Sequence, residues 1–115
     1  MSYLFVYGTL KKGFGLHNII ASLNYIGETK ILGYDMYTNG GYPMAVKGWG
    51  SIVGEVYEVP EEVEEYLFSV LDQIEGAYNR NKELVIIDKK AYSVYFYEYK
   101  YEVDGLMHIE DGEFY

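Results

Sequence analysis

The sequence contains no cysteine among its 115 residues. Disulfide frameworks, thiolate nucleophiles and cysteine-based metal sites are therefore excluded. A chain without cysteine is compatible with the reducing cytoplasm, which is the compartment we expect for this protein. Other metal ligands are sparse as well, because the two histidines, His17 and His108, are far apart and lack metal-ligand spacing. We therefore expect no zinc site.

Positive charge is scarce: nine lysine and arginine residues face eighteen aspartates and glutamates, which gives a formal net charge of -9 and a pI near 4.5. This balance repels phosphate backbones at long range and argues against a nucleic-acid partner. An anionic small molecule is still compatible with the sequence, since backbone N–H groups can reverse the field locally within one site.

Long apolar runs are also missing, so we expect no segment that spans a membrane. The opening residues, Met1 to Leu10, are apolar but have no basic start and soon reach Gly8. That pattern is typical of a strand and not of a signal peptide. Gly48-Trp49-Gly50 with Gly54 has the wrong spacing for a dinucleotide-binding fingerprint and leads into a strand instead of a helix. No serine lies in a Gly-x-Ser-x-Gly elbow, which would be typical of a hydrolase nucleophile.

Tyrosine, by contrast, is abundant, with fifteen residues in a chain whose hydrophobic share is 50%. Tyrosine favours pleated surfaces and therefore predicts a domain rich in strands. The length predicts one domain over residues 1–115 with a single core. The segments that read as strands are 2–7, 25–37 with a break near Gly33, 51–59, 83–88 and 91–101. The glycines and Pro43 of residues 39–43 predict a turn.

The clearest helix prediction covers Pro60 to Ile74, where apolar residues recur at the spacing of one helical face. Proline suits the first turn, the two glutamates after it complement the helix dipole, and Gly76 can end the helix in a left-handed conformation. A second, short helix is predicted over Leu16 to Leu23. The resulting fold class is α+β: a small mixed, mostly antiparallel β-barrel with one long and one short helix packed against it.

The first candidate for a functional site is Tyr7-Gly8-Thr9-Leu10, where an apolar strand ends in a glycine turn. Backbone N–H groups released by such a turn have no strand partner and can form a concavity that binds a carboxylate or an oxyanion. The same residues are also compatible with a plain strand terminator, because glycine turns are common. The residues alone leave both interpretations open.

The second candidate is Glu75, which follows the last apolar position of the predicted helix. The negative end of the helix dipole disfavours a carboxylate there, and burial would raise the pKa of the carboxyl further. A carboxyl of that kind suits general acid–base catalysis. The alternative is a solvated glutamate in the last helical turn. Asp72 points elsewhere on the helix and is expected to cap or pair at the surface.

Together these features resemble the γ-glutamyl cyclotransferase-like proteins, and more narrowly their γ-glutamylamine cyclotransferase and AIG2-like branch. The resemblance begins at Tyr3 and extends to about Tyr97. It rests on the run Tyr7 to Gly13 after an N-terminal strand, followed in order by Tyr42-Pro43, Gly54-Glu55-Val56-Tyr57, Leu71-Asp72 with Glu75-Gly76, and Tyr78 with Arg80. The Thr9-Leu10 step is similar to the amine-directed branch.

The resemblance implies a small barrel with flanking helices, in which the turn binds the γ-glutamyl part of a small-molecule substrate through backbone groups. It assigns substrate binding to Tyr7, Gly8, Thr9 and Leu10, and the acid/base role to Glu75. The implied reaction is intramolecular. The α-amine of a γ-glutamyl amide attacks its own side-chain amide and releases 5-oxoproline with a free amine or amino acid, without a metal or a cofactor.

Three alternatives stay open for the function: a hydrolase of a γ-glutamyl conjugate, a non-catalytic protein that binds a small molecule in the same pocket, and a purely structural or interaction protein. Arg80, the only arginine, is expected to pair with a neighbouring acidic side chain or with a substrate carboxylate. Tyr97 is predicted either to line the pocket or to lie in the core. Exposed tyrosine and valine edges are compatible with a monomer or a homodimer.

Overall fold

The computed structural model describes residues 1–115 and contains six β-strands and one α-helix. In chain order these are β1 (Ser2–Val6), β2 (Asn24–Thr38), β3 (Pro43–Val59), α1 (Glu61–Ile74), β4 (Tyr78–Ile87), β5 (Lys90–Tyr99) and β6 (Met107–Ile109). All strands belong to one sheet with the order β4-β5-β1-β3-β2-β6. Only β1 and β5 pair in parallel, and every other pair is antiparallel. The mixed, mostly antiparallel arrangement is thereby confirmed.

The predicted barrel is not confirmed, because the sheet does not close: β4 and β6 are its two ends. The sheet nevertheless curls, since the Thr29 hydroxyl on β2 donates to the Ile86 carbonyl on β4 at 2.7 Å. The Tyr34 hydroxyl donates in the same way to the Glu83 carboxylate at 2.8 Å. Two register shifts in β2 interrupt the regular backbone pattern, one of them beside Gly33. Side chains therefore bridge the gap that a closed barrel would fill with a backbone ladder.

The predicted short helix over Leu16 to Leu23 is wrong: the segment holds only a single 3₁₀ turn at His17–Ile19. Its backbone bonds span three residues, as in the 3.1 Å bond from the Ile19 N–H to the Leu16 carbonyl. A segment this short has little α-helical stability of its own, so tertiary packing decides its form. Ile20 packs fully buried in the cluster beneath α1, which explains the apolar spacing.

Two strand boundaries differ from the sequence prediction, and one strand was not predicted. β3 begins at Pro43 instead of Ser51, β4 begins at Tyr78 instead of Glu83, and the short β6 lies in a tail without periodicity. Gly48 and Gly50 concealed the first part of β3, because glycine is depleted in strands. The Asp35 side chain lies over them: a Cβ on Gly48 would come within 2.0 Å of its Oδ2.

The central strand β1 is buried on both faces, as its continuous apolar run predicted. Leu4 and Val6 belong to the cluster under α1, where Leu67, Phe68 and Leu71 are the buried helix residues. Phe5 packs in the other cluster, on the opposite side of the sheet. The chain thus leaves β1 at the centre of the fold, next to the helix. No helix in the structure has the length and apolar character that a membrane crossing requires.

Candidate functional site

A cavity of about 400 Å³ lies where the end of β1 meets the end of α1. The structure brings all five predicted site residues together in its wall, namely Tyr7, Gly8, Thr9, Leu10 and Glu75. Twelve of the sixteen lining residues are hydrophobic. Small-molecule sites have this character, being mostly apolar clefts of about 300–1,000 Å³ with a few placed polar groups.

The turn after β1 offers unpaired backbone donors to this cavity. The Gly8 carbonyl accepts from the Lys11 N–H at 2.9 Å, and the Thr9 carbonyl accepts from the Leu16 N–H at 3.0 Å, so the carbonyl groups are satisfied. The N–H groups of Gly8, Thr9 and Leu10 donate to no acceptor within the chain. Consecutive free N–H groups form the kind of concavity that binds anions.

Two close contacts hold this turn in place. A Cβ on Gly8 would lie 2.6 Å from Cγ of Pro43, so only glycine fits without displacing a neighbour. The Tyr7 hydroxyl donates to the Tyr97 carbonyl at 2.5 Å and accepts from the Ala45 N–H at 3.3 Å. Burial raises the pKa of Tyr7 well above its usual value, so this hydroxyl stays neutral. The Tyr7 side chain therefore ties strands together.

Glu75 is the residue at which α1 ends. Its N–H donates to the Leu71 carbonyl at 2.8 Å, and its carbonyl accepts from the Tyr78 N–H at 3.0 Å, so its main chain is held from both sides. Its carboxyl has no hydrogen-bond or ion-pair partner within the chain. Burial in the apolar cavity raises the pKa of this carboxyl to about 7. The Glu75 carboxyl is therefore partly buried at the cavity wall and not fully solvated.

Asp72 and Arg80 lie outside the cavity, on the other side of α1. Arg80 Nη1 lies 3.7 Å from Asp72 Oδ1, so the expected pairing of Arg80 with an acidic neighbour is confirmed. The guanidinium also stacks over the Phe68 ring, 4.6 Å from its centroid. Tyr97 meets both of its predicted alternatives, since it lines the cavity and is only 4% exposed.

Sequence reasoning gave no role to several other lining residues. The rings of Tyr78 and Tyr99 pack edge to face with their centroids 5.4 Å apart. The Tyr78 hydroxyl donates to the Pro43 carbonyl at 2.7 Å. Ile74 is the last apolar residue on the predicted helical face, but it is 43% exposed and lines the cavity instead of packing in the core. A usable signal was present for Ile74 and Tyr78, because both lie within three residues of Glu75.

His17 lies close to the turn without joining the cavity wall. Its Nδ1 is 2.9 Å from the Leu10 carbonyl, and its ring lies against Tyr57. Nowhere in the structure do three His, Asp or Glu side chains come close enough to hold a metal ion. Glu75 is the only charged side chain that lines the cavity. The site can therefore hold an anion on backbone donors and move a proton at one carboxyl.

Comparisons with known proteins agree with this geometry. The family model for gamma-glutamyl cyclotransferase, AIG2-like, matches residues 4–115. The gamma-glutamylcyclotransferase family protein YtfP of Escherichia coli strain K12 is 31% identical over 112 residues, covering 96% of this chain and 93% of YtfP. Protein PH0828 from Pyrococcus horikoshii superposes with a TM-score of 0.80 at 30% identity, over 98% of this chain and 89% of PH0828. An AIG2-like protein from Mus musculus shares the fold, with a TM-score of 0.76 at 22% identity over 96% and 86% of the two chains.

Proposed function

Because the chain belongs to the γ-glutamyl cyclotransferase, AIG2-like family, we propose that it converts a γ-glutamyl amide into 5-oxoproline and a free amine or amino acid. One observation carries the proposal: the Glu75 carboxyl shares a cavity with the unpaired backbone donors of Gly8, Thr9 and Leu10. We take residues 1–115 as one domain that acts in the cytoplasm on a small γ-glutamyl molecule.

The turn and the apolar wall have complementary tasks in this proposal. The free N–H groups of Gly8, Thr9 and Leu10 hold the substrate α-carboxylate or the oxyanion that develops on the γ-carbonyl. The apolar lining packs against the methylene groups of the glutamyl chain and keeps the chain folded. The nucleophile is already tethered to its target, so holding it in the reactive conformation supplies a large effective molarity.

Glu75 performs both proton transfers. Its carboxylate takes a proton from the substrate α-ammonium, and the freed nitrogen forms a bond to the γ-carbonyl carbon. The bond from that carbon to the distal nitrogen then breaks as the Glu75 carboxyl returns the proton to the leaving amine, and the second proton on the attacking nitrogen is lost to water, which leaves the neutral lactam N–H of 5-oxoproline. A pKa of about 7 means that both protonation states of Glu75 are populated near neutral pH, as the double role requires.

A substrate panel tests this proposal. The purified protein is incubated with γ-glutamyl amines and γ-glutamyl amino acids, and products are identified by mass spectrometry, with Glu75→Gln alongside. We expect 5-oxoproline that depends on Glu75, and the best panel member indicates the leaving group. Free glutamate in place of 5-oxoproline would identify a hydrolase. Tight binding with no product from any member would identify a binding protein of the same fold.

A further inference from the structure

Tyr97 on β5 contacts both halves of the cavity wall. Its carbonyl accepts a hydrogen bond of 2.5 Å from the hydroxyl of Tyr7, which is the residue directly before Gly8. Its own hydroxyl donates to Asp72 Oδ1 at 2.6 Å, within the last turn of α1 before Glu75. One residue thus connects the turn that offers backbone donors with the helix end that carries the carboxyl.

Backbone hydrogen bonds hold the Glu75 main chain, but few side chains anchor the helix end, because the buried residues of α1 stop at Leu71. Asp72, Gln73 and Ile74, which follow it, are all exposed. Between Leu71 and Glu75, the hydrogen bond that the Tyr97 hydroxyl donates to Asp72 is the one that joins a helix side chain to the sheet. Exposed final turns fray readily unless such a contact holds them.

The Asp72 carboxylate also forms an ion pair with Arg80. Arg80 on β4 lies 3.7 Å from the same carboxylate oxygen that accepts the Tyr97 hydroxyl. The Arg80 guanidinium is stacked 4.6 Å from the Phe68 ring centroid and 5.5 Å from that of Tyr95, so it is not a freely moving partner. The Asp72 carboxylate is therefore fixed between a strand and a stacked cation.

We propose that Tyr97 and Asp72 are positioning residues that set the place of the Glu75 carboxyl relative to the donors of the Gly8 turn. The proposal rests on the proposed cyclotransferase reaction for its kinetic consequence, but its structural consequence holds without that reaction. Tyr97 acts through its bond to Asp72 and not as a proton donor. Burial, followed by the bond to Asp72, raises its pKa far above neutrality, so its hydroxyl keeps its proton.

Tyr97→Phe is the first test, because it removes the hydroxyl and keeps both the ring and the backbone carbonyl that Tyr7 contacts. The turn donors stay in place and KM is expected to stay within about twofold, while kcat falls roughly ten- to a hundredfold through misplacement of the carboxyl. Tyr92→Phe is the matched control, since Tyr92 lies on the same strand but outside both the cavity wall and the groove that contains Asp72. It should leave both constants unchanged. A Tyr97→Phe enzyme with normal kcat would overturn the proposal.

A second measurement needs no substrate. NMR titration of the Glu75 carboxyl should give a pKa near 7 in the wild type and a value shifted toward the usual 4.5 in Tyr97→Phe, since a released helix end lets water reach the carboxyl. The neighbouring hydroxyls of Tyr7, Tyr78 and Tyr97 all have raised pKa values, so none of them titrates in this range.

Asp72→Ala provides the same test from the helix side, at an exposed position where the variant is expected to fold. It should lower the Glu75 pKa as Tyr97→Phe does, and the double variant should lower it no further than Asp72→Ala alone, because the Tyr97 hydroxyl acts only through Asp72. An unchanged Glu75 pKa in both variants would overturn the proposal. A wild type that forms no 5-oxoproline would overturn the proposed function alone, and the titration would still decide whether the carboxyl is positioned in this way.

Discussion

Asp72 and Glu75 are two carboxyl groups three residues apart on α1, and the fold gives them opposite surroundings. Asp72 faces a groove in which only two of nine lining residues are hydrophobic, and its carboxylate contacts Tyr97 and Arg80. Glu75 faces a cavity in which twelve of sixteen lining residues are hydrophobic, and its carboxyl has no partner.

The surface on which each carboxyl packs therefore affects its chemistry more than its place along the helix does. The paired Asp72 side chain accepts a hydrogen bond from Tyr97 and lies beside Arg80, which is a structural role. An unpaired, desolvated carboxyl holds its proton up to a higher pH, and here its pKa reaches about 7. These surroundings support the proposed positioning role of Asp72 and the proposed proton transfers at Glu75.

The largest expected effect separates these two roles directly. Glu75→Gln keeps the shape of the side chain and removes the proton acceptor, so we expect kcat for 5-oxoproline release to fall at least about a hundredfold. Asp72→Asn keeps an oxygen that can accept from Tyr97, and we expect a clearly smaller loss. Steady-state kinetics on both variants, with circular dichroism to verify folding, checks this. Equal losses would mean that the two carboxyls do not differ in role.

A second prediction turns from the carboxyls to the backbone donors. In Gly8→Ala the new Cβ would lie 2.6 Å from Pro43 Cγ, so the turn must move and its N–H groups with it. We expect kcat/KM to fall at least about tenfold and the free energy of unfolding to drop by about 1–3 kcal/mol. Gly15→Ala is the matched control, since a Cβ there meets nothing within 4 Å. Similar losses in both variants, in kinetics and urea unfolding, would remove the special role of Gly8.

The smallest expected effect concerns stability. Because the pKa of Glu75 is about 7 in the folded chain and about 4.5 when unfolded, the folded state binds more protons between these values. Stability therefore falls as pH rises from 4.5 to 7. Glu75→Gln removes this penalty, so the variant should be more stable than wild type at pH 8 by about 1–3 kcal/mol and nearly equal to it at pH 4.

Urea unfolding at both pH values measures this effect. The sign of the difference in unfolding free energy between Glu75→Gln and wild type matters more than its size, since loss of a stabilising contact would make the variant less stable at pH 8. A less stable Gln variant at pH 8 would show that the Glu75 carboxylate has a partner, and the contrast with Asp72 would then disappear.

Much of the fold could be read from local pattern. The spacing of apolar residues predicted α1 almost to the residue, and the uninterrupted apolar run predicted a β1 buried on both faces. Two predictions, a short helix near His17 and a third strand that begins only at Ser51, were wrong for the same reason. Both segments take their form from distant partners: Ile20 packs beneath α1, and Gly48 and Gly50 fit under Asp35. Helix and strand propensities of neighbouring residues do not reflect such long-range contacts.

The candidate site divides in the same way. Local sequence was enough to predict the glycine turn after an apolar strand and a glutamate at the end of an amphipathic helix, because strand termination and helix phase depend on neighbouring residues. Long-range packing brings the two into one cavity, connects them through Tyr97, and curls the sheet without closing it. These outcomes depend on how strands far apart in sequence pack, and the desolvation that raises the Glu75 pKa exists only after they have packed.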